Sequence, residues 1–530
     1  MKNTIYTFSL LAFCTACSAC SRGVDLPLPN GQKNTTDDGV ALVVDVDKTY
    51  QTMEGFGASD CWSGNYVGRD WDESKRASIA DLLFSQDIEG GHAKGIGLSM
   101  WRSNLGAGSA NQGDNSGISD KSRRAECFLK EDGSYDWTQA AGQQYFMQQA
   151  KAKGCESFVL FSNSAPVWYT LNGKGYSSQG ANANLQSDKY DDFAQYMVTV
   201  AKHYEELGIP IDFISPVNEP QYNWADGGQE GSGWTNAQVA SLTRELDSAL
   251  SNESLNTKIL LSEAASYEYL YENKGDQNRS NVIADFFDAN SANYIGNLSH
   301  VPNIIGGHAY WNDSNWSSLL NTRTNFWTAA SARNLKTYQT EWSMLGDGYD
   351  DSHFVDYDKA SYMDIAMYMT QVMYHDIVTA HVSSWSFWTA MDVERWGHKD
   401  RFLLISLVPS GGVDGDISNS GTYAARKTLW ALGNYSLFVR PGYTRVDISS
   451  GIDRDLFGSA FISPDQNKLV VVLTNYNKIK KVFVPQINGF KATTIMRYVT
   501  SETSDLQEDK SSLDAIEVPA HSVTTFVLSK

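Results

Sequence analysis

The sequence predicts an α/β fold, a (β/α)8 TIM barrel with an attached antiparallel β-sandwich side domain. Three observations predict it. Eight short, apolar, β-prone runs alternate with amphipathic helical patterns between Met53 and Trp430. After Trp430 the helical periodicity stops and strand-like runs follow one another across turn residues. Two of the eight runs end on a carboxylate, Glu219 and Glu341, which is how barrel strands deliver side chains to a common open face.

Taken in order, the chain starts with Lys2 and an apolar stretch from Ile5 to Phe13, too short to span a bilayer as a lasting helix. Small residues then alternate with Cys14, Cys17 and Cys20, the pattern of a lipoprotein-type leader over residues 1–20. Cys20 is favoured over Cys17 as the lipidated residue, and an ordinary cleaved secretory signal is the alternative. Residues 21–39, rich in Gly, Pro, Asn and Asp, read as a flexible tether. The expected location is outside the cytoplasm, lipid-anchored at the outer membrane or surface of a Gram-negative bacterium, or periplasmic.

Residues 40–52 alternate as a strand and precede the barrel with no helix between, so they are assigned to the side sandwich. The barrel occupies 53–430 and the remainder of the sandwich 431–530. In Met53-Glu54-Gly55-Phe56-Gly57 the glycines suit a strand whose backbone passes close to a neighbour. The further barrel strands are expected at 97–102, 157–162, 212–216, 258–262, 304–308, 336–340 and 382–386, with helices such as 190–207 and 236–251 between them. Sandwich strands are expected around Phe461, Lys468–Leu473, Lys481–Val484 and Val523–Leu528.

Composition removes several classes of function. A net charge of −20 without a Lys/Arg cluster argues against nucleic acid as a partner. The mature region keeps Cys61, Cys127 and Cys155, an odd count at irregular spacing that is neither a disulfide framework nor a zinc pattern. With no phosphate loop and no ligand-spaced partner for His308, no cofactor and no metal are expected. The 15 Trp, 27 Tyr and 22 Phe suit stacking on sugar C–H faces, and equally a large core.

Two carboxylates at one barrel mouth are what glycoside hydrolysis requires, one to protonate the leaving oxygen and one to attack or to activate water. The attacking residue must be ionised, and Arg102 is placed to supply the cation and Tyr310 a hydroxyl. The other must hold its proton near neutral pH, through burial or repulsion by its partner. Glu263, ending the fifth strand, either binds a sugar hydroxyl or holds a neighbouring loop.

These motifs together resemble family 30 of the glycoside hydrolases, in the clan of (β/α)8 retaining glycosidases. The likeness rests on Met53-Glu54-Gly55-Phe56-Gly57, Asn218-Glu219-Pro220, Thr340-Glu341-Trp342 and the stretch from Leu432 to Gly442. It implies a retaining double displacement with Glu219 as general acid/base and Glu341 as nucleophile, about 5 Å apart. It also implies substrate-site roles for Asn218 (to the sugar 2-hydroxyl), Arg102, His308, Tyr310, Trp168 and Trp388. Ser59-Asp60-Cys61-Trp62 departs from glucosylceramidase-like members and is similar to a branch acting on β-1,6-galactan, which adds Asp60 and Trp62 to the expected contacts. The expectation is a monomeric endo-β-1,6-galactanase that binds a polysaccharide or oligosaccharide and meets membrane only through its lipid. The alternatives are a β-1,6-glucanase, a xylanase, an exo-β-glycosidase, or a surface glycan-binding protein without catalysis.

Overall fold

The computed structural model describes residues 40–178, 180, 182–354 and 356–530. Cys17, Cys20, the leader and the tether lie outside the described residues. Among the described residues no helix is long and apolar enough to cross a membrane.

The eight barrel strands are Gly55–Ser59, Met100–Leu105, Ser157–Ser162, Phe213–Ser215, Lys258–Ile259, Ile304–His308, Lys336–Trp342 and Val382–Phe387. They pair in parallel as one sheet in the circular order five-four-three-two-one-eight-seven-six. The ends of that sheet are joined by irregular backbone bonds from Ser262 N to Gly306 O (3.0 Å) and from His308 N to Ala264 O (2.8 Å). Helices cover the outside, so the second and eighth strands are buried on both faces and read as continuous rather than alternating runs. In the first strand, a Cβ on Gly57 would lie 2.9 Å from the Met100 carbonyl oxygen, so only glycine allows the strands to meet there.

Two strands differ from expectation. The second starts at Met100 rather than Gly97, because Gly97 turns through φ +56° and the chain joins the ladder only beyond it. Arg102 therefore sits inside the strand, not at its end. The fifth keeps regular pairing for only two residues before the chain bends toward Glu263, whose φ is +53°. The helices Tyr190–Glu206 and Asn236–Glu253 lie where periodicity places them. The latter starts on a capping box, in which Thr235 and Gln238 satisfy each other's backbone N–H groups.

The second sheet has eleven strands and folds around its own core, which includes Leu42, Val446, Leu469, Val471 and Phe526. The strand Val40–Thr52 is an inner member. It pairs antiparallel with Thr444–Ser450 and parallel with Lys481–Asn488, one parallel ladder in an otherwise antiparallel sheet. The helix Lys427–Ser436 runs through position 430, where the change of texture is read in the sequence. After the eighth barrel strand the chain makes a three-stranded sheet of Met391–Val393, Ile405–Val408 and Thr422–Ala425. No sequence signal announced it, and it shapes one side of the barrel mouth.

Candidate active site

A cavity of about 350 Å³ opens at the C-terminal ends of the barrel strands, lined by Glu219, Glu341, Asn218, Tyr310, Trp62 and Trp388 among others. Glu341 lies near the end of the seventh strand and Glu219 in the loop after the fourth. Their carboxylate oxygens and a His308 ring nitrogen lie within 4.8 Å of one another. The Glu219 backbone is held at φ +43°, a conformation non-glycine residues rarely adopt. Bonds from its N–H to Glu263 O (2.9 Å) and from Trp224 Nε1 to its carbonyl (3.2 Å) keep it there.

Beneath the two carboxylates lies a buried charge network. Arg102 donates to Glu341 Oε2 (2.6 Å), Asn218 Oδ1 (3.1 Å) and Glu263 Oε2 (3.4 Å). Its guanidinium rests 3.6 Å above the centre of the Phe161 ring. Tyr310 OH donates to the other Glu341 oxygen at 3.1 Å. His308 stands between Glu219 (Nδ1 to Oε1, 2.9 Å) and Glu263 (Nε2 to Oε2, 3.0 Å). Ser215 Oγ donates to the remaining Glu263 oxygen at 2.5 Å.

The titrations follow from this arrangement. Burial pushes the Glu219 carboxyl up, and the Glu341 charge adds to it against the bond from His308. Burial would also raise Glu263, but the Arg102 charge and the His308 bond overcome it and hold Glu263 at about 2. For His308 burial favours the neutral ring, yet the Glu341 charge and the bonds to Glu219 and Glu263 carry it to about 10. The cluster therefore contains two cations, Arg102 and His308, among three carboxyls. Among the three carboxyls, burial favours the protonated form at Glu219, whereas Arg102 and His308 hold Glu263 ionised.

Glu219, His308 and Glu341 are also the one group of three potential metal ligands that converge among the described residues. A protonated His308 has no ring lone pair to offer a metal, and Glu341 is already paired with Arg102.

Several of the expected contacts lie away from the cavity lining. Asp60 is fully buried and turned away from the cavity, accepting bonds from Ser103 Oγ (2.5 Å), Asn104 N (3.0 Å) and Gln143 Nε2 (3.1 Å). Trp168 does not line the cavity, and its indole N–H is bonded to the Leu129 carbonyl at 3.1 Å. His308 is fully buried, so it acts on carboxylates rather than on sugar. Arg102 likewise sits below the cavity lining. Trp62 and Trp388 do line it and meet edge to face with ring centres 5.3 Å apart. The buried cysteines Cys61, Cys127 and Cys155 are free thiols.

Sequence reasoning missed Arg123, Tyr222, Trp224, Trp311, Trp396 and Phe402, all on the cavity wall. Arg123 is sandwiched between the rings of Trp62 (4.4 Å) and Trp396 (3.9 Å) and bonded to Asp392. The signal available for Tyr222 and Trp224 was their nearness to Glu219 in a Gly- and Asn-rich loop. Trp396 and Phe402 reach the mouth from the loop after the eighth strand, and no motif marks them.

The sequence pattern described as O-glycosyl hydrolase family 30 matches residues 39–403. An endo-beta-1,6-galactanase of Hypocrea rufa is 25% identical over 462 residues, covering 83% of this chain and 82% of the relative. A glucuronoxylanase of Bacillus subtilis is 26% identical over 368 residues, covering 68% of this chain and 70% of the relative. Among solved structures, a conserved exported protein from Bacteroides fragilis superposes with a TM-score of 0.84 at 31% identity, covering 92% of this chain and 100% of that one.

Proposed function

The chain belongs to O-glycosyl hydrolase family 30, and from that premise we propose that it cleaves β-1,6-galactan internally by a retaining double displacement. Glu341 is the nucleophile and Glu219 the general acid/base. The observation that carries the assignment is the charge count around them: two buried cations, three carboxyls, and burial acting on Glu219.

In the first step Glu341 attacks the anomeric carbon while Glu219 gives its proton to the departing glycosidic oxygen. The C–O bond breaks and a glycosyl ester of Glu341 forms. One oxygen of Glu219 and one of Glu341 lie within 4.8 Å of each other, closer than the spacing of inverting pairs, which favours this route over inversion. Tyr310 and Arg102 hold the two Glu341 oxygens and set the direction of attack.

Once Glu341 is an ester its charge is gone. Glu219, now anionic, is stabilised by His308 and removes a proton from the water that attacks the same carbon. The ester bond breaks, and Glu341 and Glu219 return to their starting forms. Asn218, held by Arg102, presents its amide to the sugar 2-hydroxyl.

The substrate choice rests on the endo-beta-1,6-galactanase that covers most of the chain and on Trp62, contributed to the cavity wall by the loop after the first strand. The leader pattern at residues 1–20 supports export with lipid attachment at Cys20 or Cys17, which labelling with radioactive palmitate tests. The sandwich, which incorporates residues 40–52, serves as a structural partner of the barrel.

Product analysis tests the reading. Wild type and Glu341→Gln are incubated with β-1,6-galactan, β-1,6-glucan, glucuronoxylan and aryl β-glycosides. Oligosaccharides from β-1,6-galactan with wild type and none with the variant are expected. Release from glucan or xylan instead would replace the substrate. Glycan binding by both proteins without hydrolysis would remove the enzyme assignment.

A further inference from the structure

Trp311 lies just after the sixth barrel strand and is 49% exposed, the only exposed tryptophan among the described residues. An indole left half in water forgoes much of the stabilisation that burial gives such a ring. The exposed ring stands on the wall of the catalytic cavity rather than on the outer surface of the barrel. Its backbone is held at φ +58°, a conformation that bulky side chains rarely adopt.

The neighbours on either side hold the strained residue in place. Before it, the Tyr310 hydroxyl donates to Glu341 (3.1 Å), and the Ala309 N–H donates to the Glu341 carbonyl (3.2 Å). After it, buried Arg323 donates to both the backbone carbonyl (2.8 Å) and the side-chain oxygen (2.5 Å) of buried Asn312. The Trp311 ring meets that of Tyr310 with centres 5.7 Å apart. A ring fixed in this way needs no ordering when a ligand arrives.

The aromatic groups of the cavity wall come from two arcs of the barrel. Trp62, Trp388 and Trp396 follow the first and eighth strands, which are neighbours. Tyr222 and Trp224 follow the fourth strand and Trp311 the sixth, the two strands that flank the fifth. Glu219 belongs to this second arc, and Trp224 Nε1 donates to its carbonyl at 3.2 Å. The departing sugar carries away the oxygen that Glu219 protonates, so it lies toward the second arc. The sugar that becomes esterified to Glu341 lies toward the first.

We infer that Trp311 is a specificity-determining residue, the stacking platform for the galactose unit on the departing side of the scissile bond. Galactose gathers several C–H groups on one face, which an exposed indole covers. The inference rests on the retaining β-1,6-galactanase reading and adds to it a sugar site beyond the bond, which internal cleavage requires.

The test compares wild type, Trp311→Ala and Trp311→Phe on two donors. One is a β-1,6-linked galactotetraose, whose leaving group is a sugar; the other is β-1,6-galactobiosyl fluoride, whose leaving group is not. The ratio of kcat/KM on the tetraose to kcat/KM on the fluoride should fall about tenfold in Trp311→Ala and be largely restored in Trp311→Phe. A second readout uses the fluoride with added galactobiose. There a hydroxyl oxygen of the acceptor attacks the anomeric carbon, the ester bond to Glu341 breaks, and Glu219 takes the hydroxyl proton. The ratio of transfer product to hydrolysis product should fall in Trp311→Ala by roughly the same factor. Equal losses on both donors would make Trp311 a packing residue and overturn the inference, as would unchanged ratios in an active variant. Wild type inactive on both donors would overturn the galactanase reading itself, and the inference with it.

Discussion

His308 Nε2 lies 3.0 Å from a carboxylate oxygen of Glu263, and neither side chain is exposed to solvent. Glu263 thereby acts on catalysis at one remove. It stabilises the imidazolium that touches Glu219, and a second carboxylate charge so near opposes ionisation of Glu219.

Glu263→Gln removes that charge while keeping the shape. Two cations then face Glu341 alone, and Glu219 ionises at lower pH to restore the balance. The alkaline limb of the kcat/KM profile on β-1,6-galactan should move down by about one pH unit. An unchanged profile with reduced stability would make Glu263 a packing residue only.

Glu219→Ala should lower hydrolysis of the polysaccharide by roughly 10²–10⁴-fold, the usual contribution of a positioned acid. Aryl glycosides with good leaving groups need less protonation and should lose less in the first step. Added azide, which needs no base, should restore turnover and give a product of retained configuration. An inverted product would reassign the mechanism.

Stability should depend on pH in two directions. His308 rises from 6.5 when unfolded to about 10 when folded, so its contribution is complete below pH 6.5 and lost as pH climbs toward 10. Glu263 falls from 4.5 to about 2, so its contribution is present above pH 4.5 and lost as pH drops toward 2. Melting temperatures should decline on both sides of that interval, and His308→Gln should flatten the alkaline decline. A wild-type melting temperature still rising between pH 7 and 9 would contradict the assignment.

Trp62→Ala should raise KM on oligosaccharides by about tenfold, the scale of one lost aromatic contact. Asp60→Ala, only two residues earlier, should leave KM unchanged and cost about 1–3 kcal/mol of stability, because Gln143, Ser103 and the Asn104 N–H lose their shared acceptor. Steady-state kinetics beside chemical denaturation separates the two effects.

That contrast shows what was legible in the sequence. The barrel could be read because each strand is a short apolar run closed by a turn, and covered strands need no alternation to be recognised. Glu219, Glu341 and Asn218 belong to motifs at or just beyond strand ends, which a barrel gathers on one face. Asp60 and Trp62 follow the first strand, where the chain leaves the pleat and turns into the helix Ser63–Asp70, so strand alternation no longer fixes which way a side chain faces. One-dimensional nearness could not tell which of them faced the cavity. Trp396 and Phe402 were invisible for another reason: the path that brings them to the mouth is set by the small sheet after the eighth strand, whose pairings join residues as far apart as Ile405 and Ala425.

The placement of Val40–Thr52 decides when the molecule can become itself. Residues 40–45 find their parallel neighbours at 483–488, near the other end of the chain. The segment that leaves a ribosome or a secretion channel early must therefore wait, unpaired, until almost everything else has followed. A truncated product lacking the last strands would carry a complete set of barrel strands and an orphaned apolar edge, prone to join with the edges of its neighbours. Cutting out residues 53–430 to obtain a minimal catalyst would expose the same seam from the other side, because residues 40–52 and 444–488 hold its two halves.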